Sequence, residues 1–386
     1  MTARDTFWSE EQHALCDSAR AFTRSEVVPY LQAWEDVGEV PRDLHRSAAK
    51  QGLLGLGVPE EMGGSGGTFL DALAVTEAMT GAGGSSGLLA ALFTSGIAVP
   101  HIVAAGSADL VDRFVRPTLA GETIGALAVT EPGGGSDVAN LRTTAVRDGS
   151  TGDYLVNGSK TFITSGVRAD FVTTAVRTGG PGYGGVSLLV VERGTPGFDV
   201  TRSLSKMGWH CSDTAELSFT DARVPAANLV GEENGGFALI AQQFVTERLG
   251  LAAHGYGIAA RALDLTVEYA KQRETFGRPL AARQVVQHRL VEMHRRVDLA
   301  RTYTRDVARR FVAGEEPVAE ALQAKAFAVE ACTFVVDQAV QIHGGTGYMH
   351  GTEVERAYRD ARILGIGGGA TEVLNDLTAR LLGYTA

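Results

Sequence analysis

The sequence predicts an α+β multidomain protein. An N-terminal all-α domain covers residues 1–122, a middle β-barrel or sandwich domain 123–230, and a C-terminal four-helix-bundle domain 231–386. Three observations carry this prediction. Helical periodicity fills both ends of the chain, short runs rich in Val, Thr and aromatics fill the middle, and 386 residues exceed one ordinary core.

Ser9-Glu10-Glu11-Gln12 has the pattern of a capping box, in which serine and glutamine each satisfy a free backbone N–H. It opens a helix with Leu15, Ala19 and Phe22 on one face. Further helices are predicted near 41–53, 70–79, 88–105 and 110–119, with glycine-rich turns between them. Strands are predicted at 124–130, 143–147, 154–156, 160–164, 171–177, 186–192, 198–204 and 216–224. Asn157-Gly158 reads as a hairpin turn between two of these runs. Helices return at 237–280, 281–313, 317–342, 353–364 and 371–382, and their short connections predict an antiparallel bundle.

The helix predicted over 237–280 is the centre of the third domain. It is mostly apolar, but the pair Glu247-Arg248 interrupts it, and Gly250, Ala252, Ala253, Gly255, Gly257 and Ala259 follow. A helical glycine costs about 1 kcal/mol against alanine. Three of them imply close approach to the backbone, by another helix or by a ligand.

Composition excludes several classes. Net charge is −10 with no basic block, which excludes a nucleic-acid partner. No run approaches the ~20 apolar residues of a membrane span, and the first residues carry no apolar signal core, so a cytoplasmic protein is expected. Cys16, Cys211 and Cys332 match no zinc or redox spacing, and no metal site is expected. Gly255-x-Gly257-x-x-Ala260 and Gly365-x-Gly367-x-x-Ala370 fit a loose dinucleotide pattern. Neither lies at a strand-to-helix turn, which the fingerprint requires.

Four longer motifs are specific. Thr130-Glu131-Pro132-Gly133-Gly134-Gly135-Ser136-Asp137 resembles the T-E-P-x-x-G-S-D signature of acyl-CoA dehydrogenases. So do Gln272-Arg273-Glu274-Thr275-Phe276-Gly277-Arg278 with Gln284, then Gln341-Ile342-His343-Gly344-Gly345, and Arg359-Asp360-Ala361-Arg362. They span nearly the whole chain in family order.

This resemblance implies FAD as cofactor. It makes Leu127, Ala128, Val129 and Thr130 flavin contacts, with Phe162 covering the ring and Ile163 and Thr164 beside its edge. Arg273 carries a fork of donors suited to a pyrophosphate. In the family it reaches the FAD of a neighbouring subunit, as do Gln341 and the backbone of Gly344 and Gly345. Thr275, Phe276, Gln284 and Thr371 are further implied cofactor contacts, and Ser136, Arg248 and Gly369 implied substrate contacts. A shared cofactor site makes the protein a homo-oligomer, a tetramer by resemblance.

The base departs from the commonest pattern. Many members place it in a C-terminal I-Y-E-G-T-x-E segment, where this chain has Ile366-Gly367-Gly368-Gly369-Ala370-Thr371-Glu372. Gly368 cannot remove a proton. Isovaleryl-type and long-chain-type members carry the glutamate in an E-R-L-x-L-A segment instead, matched by Glu247-Arg248-Leu249-Gly250-Leu251-Ala252. Glu247 is therefore the expected base, and Gly368 is expected to keep a catalytic backbone N–H.

The resemblance implies an acyl-CoA or acyl-carrier thioester as substrate. Glu247 takes the α-proton, flavin N5 accepts the β-hydrogen as hydride, and an electron-transfer flavoprotein removes the electrons. Alternatives within the fold are a flavin oxidase or hydroxylase, a dehydrogenase acting on a carrier-protein thioester, or a flavin-binding member without dehydrogenase activity. Val245, where many members carry a polar group near the pantetheine arm, leaves the carrier open; His210 is expected to line the approach of the substrate tail.

Overall fold

The computed structural model describes residues 5–385, so the start of the predicted first domain (1–4) and the end of the third (386) lie outside the described residues. Ser9 accepts from Gln12 N and the Gln12 side chain accepts from Ser9 N, and this box starts the helix Glu10–Phe22. Helices Arg42–Lys50 and Phe69–Gly81 follow near their predicted positions. A helix not predicted, Leu31–Val37, ends at Gly38 with φ +93. The single helix expected at 88–105 is three pieces, Ser86–Leu92, Ser95–Ala98 and Pro100–Ala105. Pro100 has no N–H to extend a helix and instead starts the last piece.

The middle of the chain is one mixed sheet of eight strands. These are β1 (Gly125–Ala128), β2 (Thr144–Arg147), β3 (Tyr154–Thr164), β4 (Phe171–Arg177), β5 (Val186–Glu192), β6 (Phe198–Ser203), β7 (Thr214–Val224) and β8 (Leu229–Val230). Their order is β6-β7-β3-β2-β4-β5-β8, with β1 parallel beside β4. Val156, Val172, Leu189 and Leu217 fill the core that the sheet wraps. The expected hairpin turn at Asn157-Gly158 is not there. β3 runs straight through it and pairs with β7, with a register shift between Val156 and Gly158. The dipeptide makes a bulge: Asn157 and Asp221 exchange two hydrogen bonds of 2.9 Å across the strands. A Cβ on Gly158 would lie 2.7 Å from Thr143 Cα, so only glycine lets the strands approach there.

The long helix runs over Gly236–Gln272, shorter than the expected 237–280. Arg273 leaves the helical region, and Glu274–Thr275 pairs with Arg278–Pro279 in a small ribbon whose tip, Phe276 and Gly277, has positive φ at both residues. Helices Gln284–Val312, Val318–His343, Glu353–Ala361 and Thr371–Leu381 complete the bundle. A Cβ on Gly255 would lie 3.2 Å from Ala328 O, so helix packing explains that glycine, whereas Gly250 faces open space.

Buried polar contacts join the three parts. Arg168 pairs with Asp213 at 2.7 Å and donates to Val40 O at 2.6 Å. Asp360, on the helix Glu353–Ala361, accepts from Trp209 N at 2.6 Å in the β6–β7 connection. Burial, with Glu35 adding to it, pushes the Asp360 carboxyl from 3.8 up to about 7. The folded protein thus holds this proton up to about pH 7, while the unfolded chain loses it near 4. The group's contribution is complete below that lower value and is lost as pH rises through the window. Asp360→Asn is expected to flatten the decline of the melting temperature over this range. A variant curve parallel to the parent's would contradict it.

Candidate active site

Glu247 sits on the mostly apolar long helix, one turn after Phe244 and one before Leu251. Its carboxylate lies deep in the protein but keeps accessible surface, and no hydrogen bond or ion pair holds it among the described residues. Burial pushes its pKa upward, against the nearby charges of Lys325 and Arg248. A deep, reachable carboxylate without a partner is a proton acceptor in waiting.

Arg248 turns away from it. Its guanidinium lies 4.6 Å from the Phe244 ring centroid, and its Nε has no partner. An ion pair within Glu247-Arg248 is therefore excluded as the reason for the glutamate.

Facing Glu247 is the loop that enters the helix Thr371–Leu381. A Cβ built on Gly368 would stand 3.3 Å from Glu247 Oε1 and 2.3 Å from Leu251 Cδ1. The carboxylate of residue 247 thus stands next to where a side chain at 368 would begin. Gly368 has φ +62, and its N–H meets no protein acceptor among the described residues. Gly368→Ala is expected to cost about 1–2 kcal/mol from the left-handed backbone, to displace Leu251 and to crowd the carboxylate. Melting temperature and kcat should fall together; unchanged kcat would contradict the placement.

Lys325 was not expected from the sequence. It lies on Val318–His343, and its Nζ donates to Gly367 O and, at 2.6 Å, to Gly369 O. The available signal was a lysine on the otherwise apolar face of Ala321, Leu322, Ala324 and Ala328.

Val129 connects the β domain to this region, since it packs against the same apolar cluster as Phe244. Leu127 is half-buried, while Ala128 is buried, so the latter can offer a ligand only backbone. Thr130 and β3 are tied by Thr161 N donating to Thr130 O at 3.0 Å. Between Lys160 and Ile163 the β3–β7 register shifts, and Phe162 is turned out with φ +60 and 69% exposure. A large aromatic held outward in a strained conformation marks a surface that something covers. Ile163 instead points into the β core, so it too offers only backbone, and Thr164 is partly accessible. Ser136 is exposed on the glycine-rich loop.

That loop is anchored by another unforeseen residue. Lys160, fully buried, donates at 2.9 Å both to Glu131 Oε1 and to Val129 O. Glu131 also accepts from the N–H groups of Arg142 and Thr143.

Arg273, Phe276, Gln284, Gln341, Gly344 and Gly345 are exposed, and Thr275 is partly so. The two ends of this set meet where Tyr269 stacks on His343 at 4.3 Å. From Glu247 to Arg273 the helix rises about 39 Å, so these residues lie far from Glu247 of their own chain. Gly369 lies in the turn beside Gly368 that Lys325 holds, and Thr371 begins the helix that follows it. His210 is tied into the β6–β7 connection. Its ring bonds Lys206 O and Met207 O and lies against Arg359. Val245 is buried in the helical core, so it gives no information on a pantetheine arm.

Models of the acyl-CoA dehydrogenase N-terminal, middle and C-terminal domains match residues 9–122, 126–222 and 234–383. The chain belongs to the acyl-CoA dehydrogenase family. The mitochondrial long-chain specific acyl-CoA dehydrogenase of Rattus norvegicus is 39% identical over 97% of this chain and 86% of its own length. An acyl-CoA dehydrogenase of Bacillus subtilis is 37% identical over 98% of this chain and 99% of its own. A crystal structure of a probable acyl CoA dehydrogenase from Mycobacterium abscessus superposes with a TM-score of 0.96 at 63% identity, covering 98% of this chain and 100% of that one.

Acyl-CoA dehydrogenases are FAD-dependent oxidoreductases. The residues of this chain fit the cofactor: an outward aromatic at Phe162, a partly accessible Thr164, and an open glycine turn at Gly133 and Gly134. No helix among the described residues is long and apolar enough to cross a membrane, and no cluster of three or more metal-ligating side chains is present among them.

Proposed function

We propose that this protein oxidises the Cα–Cβ bond of an acyl-CoA thioester to the trans-2-enoyl thioester, with Glu247 as the base. The observation that carries this is the unpartnered Glu247 carboxylate standing beside the side-chain-free Gly368. Burial raises its proton affinity, which suits removal of a weakly acidic α-proton. The free Gly368 N–H is the donor for the thioester oxygen as negative charge builds there. Leu251 lies beside Gly368, and Arg248, Gly369 and Ser136 are substrate contacts by resemblance.

When bound, FAD would supply the hydride acceptor for the β-hydrogen. The backbone of Leu127–Thr130, the Phe162 ring, Ile163, Thr164 and Thr371 hold it from this chain. Arg273, Thr275, Phe276, Gln284, Gln341, Gly344 and Gly345 hold the FAD of a neighbouring subunit. The roughly 39 Å of helical rise between Glu247 and Arg273 supports that division, as does Phe276, which is 96% exposed on a single chain. A homotetramer follows by resemblance, as do an electron-transfer flavoprotein as acceptor and the division into domains at 122 and 230. Three buried free thiols support a reducing, cytoplasmic setting.

The test is anaerobic mixing of the flavin-loaded protein with a panel of saturated acyl-CoAs. Loss of the oxidised flavin band with matching enoyl-CoA formation is expected for at least one chain length. A flavin left oxidised by every member of the panel would refute the reading, and rapid reoxidation by oxygen would favour an oxidase.

A further inference from the structure

We propose that Lys325 is a positioning residue for this reaction, one side chain that both orients the Gly368 N–H and opposes Glu247 across the cleft. The proposal rests on Glu247 as the base.

Lys325 is 1% exposed, and its Nζ bonds two carbonyl oxygens of one turn, those of Gly367 and Gly369. Peptide planarity gives the first bond a consequence. No peptide here is cis, so the N–H of Gly368 points opposite to the Gly367 carbonyl. Holding that carbonyl on Lys325 therefore aims the Gly368 N–H away from the lysine, and there it has no protein acceptor. The same ammonium closes on the far side of Gly369, so the glycine turn is clamped at both ends. Without the clamp, three consecutive glycines leave the donor free to rotate.

The second role follows from distance. A Cβ on Gly368 would lie 3.3 Å from Glu247 Oε1 and 3.6 Å from Lys325 Nζ, so the two charges are at most about 7 Å apart. Yet they form no ion pair. A closed salt bridge would lower the basicity of Glu247. Held short of contact, the ammonium stabilises the carboxylate by its field and leaves the oxygens free for a proton. A buried ammonium given two carbonyls but no touching carboxylate is a costly arrangement for structure alone.

Other charges near Glu247 are accounted for. Arg248 on its own helix acts on it while packed against Phe244. His254, two turns on, is held near 4 by burial and is neutral. Glu77, from Phe69–Gly81, is engaged by Tyr256 and Arg305, and the facing turn contributes only glycines and Ile366. Burial lowers Lys325 to about 8, with Glu247 resisting the change.

The experiment compares the parent with Lys325→Gln, which keeps amide donors without charge, and Lys325→Met, which keeps neither. Three quantities are measured: kcat/KM against pH, the Glu247 carboxyl titration by 13C NMR (assigned by its loss in Glu247→Gln), and melting temperature with FAD content. In Lys325→Gln the acid limb and the carboxyl titration should both move up by about one pH unit, and the alkaline limb near 8 should vanish. Lys325→Met should add a fall in kcat of about tenfold or more. Unmoved limbs and an unmoved titration in Lys325→Gln overturn the proposal, even if stability drops. If Glu247→Gln keeps full turnover, the base assignment fails instead, and the carboxyl titration still reports whether Lys325 acts on Glu247. Should Lys325→Met not fold, Lys325→Gln decides.

Discussion

Glu247→Gln is expected to lower kcat by about 10²- to 10⁴-fold, the usual contribution of a positioned general base. The amide has the same shape and cannot take the α-proton. FAD content, melting temperature and substrate binding should stay near the parent's, because no hydrogen bond or ion pair to the rest of the protein is lost with the charge. Anaerobic rapid mixing with an acyl-CoA reads flavin bleaching, and exchange of α-deuterium into solvent reads proton removal independently. Both should fail together. The pH dependence carries a sign: the folded protein holds the Glu247 proton above the ordinary glutamate range, so parent activity should rise with pH through that raised value. Retained bleaching at parental rate would place the base elsewhere.

The largest stability effect is expected at Lys160→Met, a loss of about 3–5 kcal/mol. Lys160 is fully buried and Glu131 8% exposed, so removing the ammonium leaves a carboxylate stranded in a dry site. Burial works against the charge on Glu131, but Lys160 and the neighbouring donors at Thr143 and Arg142 outweigh it and hold that carboxyl below its usual range. The same ammonium bonds Val129 O at the end of β1, so FAD content should fall with stability. Adding Glu131→Gln should restore part of the loss, because the stranded charge is then removed too. Urea denaturation of the two variants measures both steps. A loss under about 1 kcal/mol would mean that the pair is solvated or replaced by another cation.

Much of the fold was legible because its signals are local. β4 and β5 were predicted at the bounds they have, since each is a run of buried Val, Leu and Thr between turn residues. The capping box at Ser9 needs only four consecutive residues. Asn157-Gly158 misled because a favoured turn dipeptide also serves as a bulge, and its partner strand, β7, decides which. The end of the long helix was misplaced because 273–280 has no proline before Pro279 and a helical pattern tolerates a single glycine such as Gly277, while the ribbon that ends the helix depends on cross-strand pairing.

The sequence by itself determined the order α, β, α and the family, and its E-R-L-x-L-A segment pointed to Glu247 where Gly368 offers no carboxylate, since each is written in consecutive residues. Only the tertiary structure decided that the Glu247 carboxylate stands beside Gly368, that Ile163 and Val245 face cores, and that Lys160 and Lys325 anchor the turns. Those facts depend on which distant segments pack together and on what each buried charge finds there, and no stretch of chain contains both halves of such a contact.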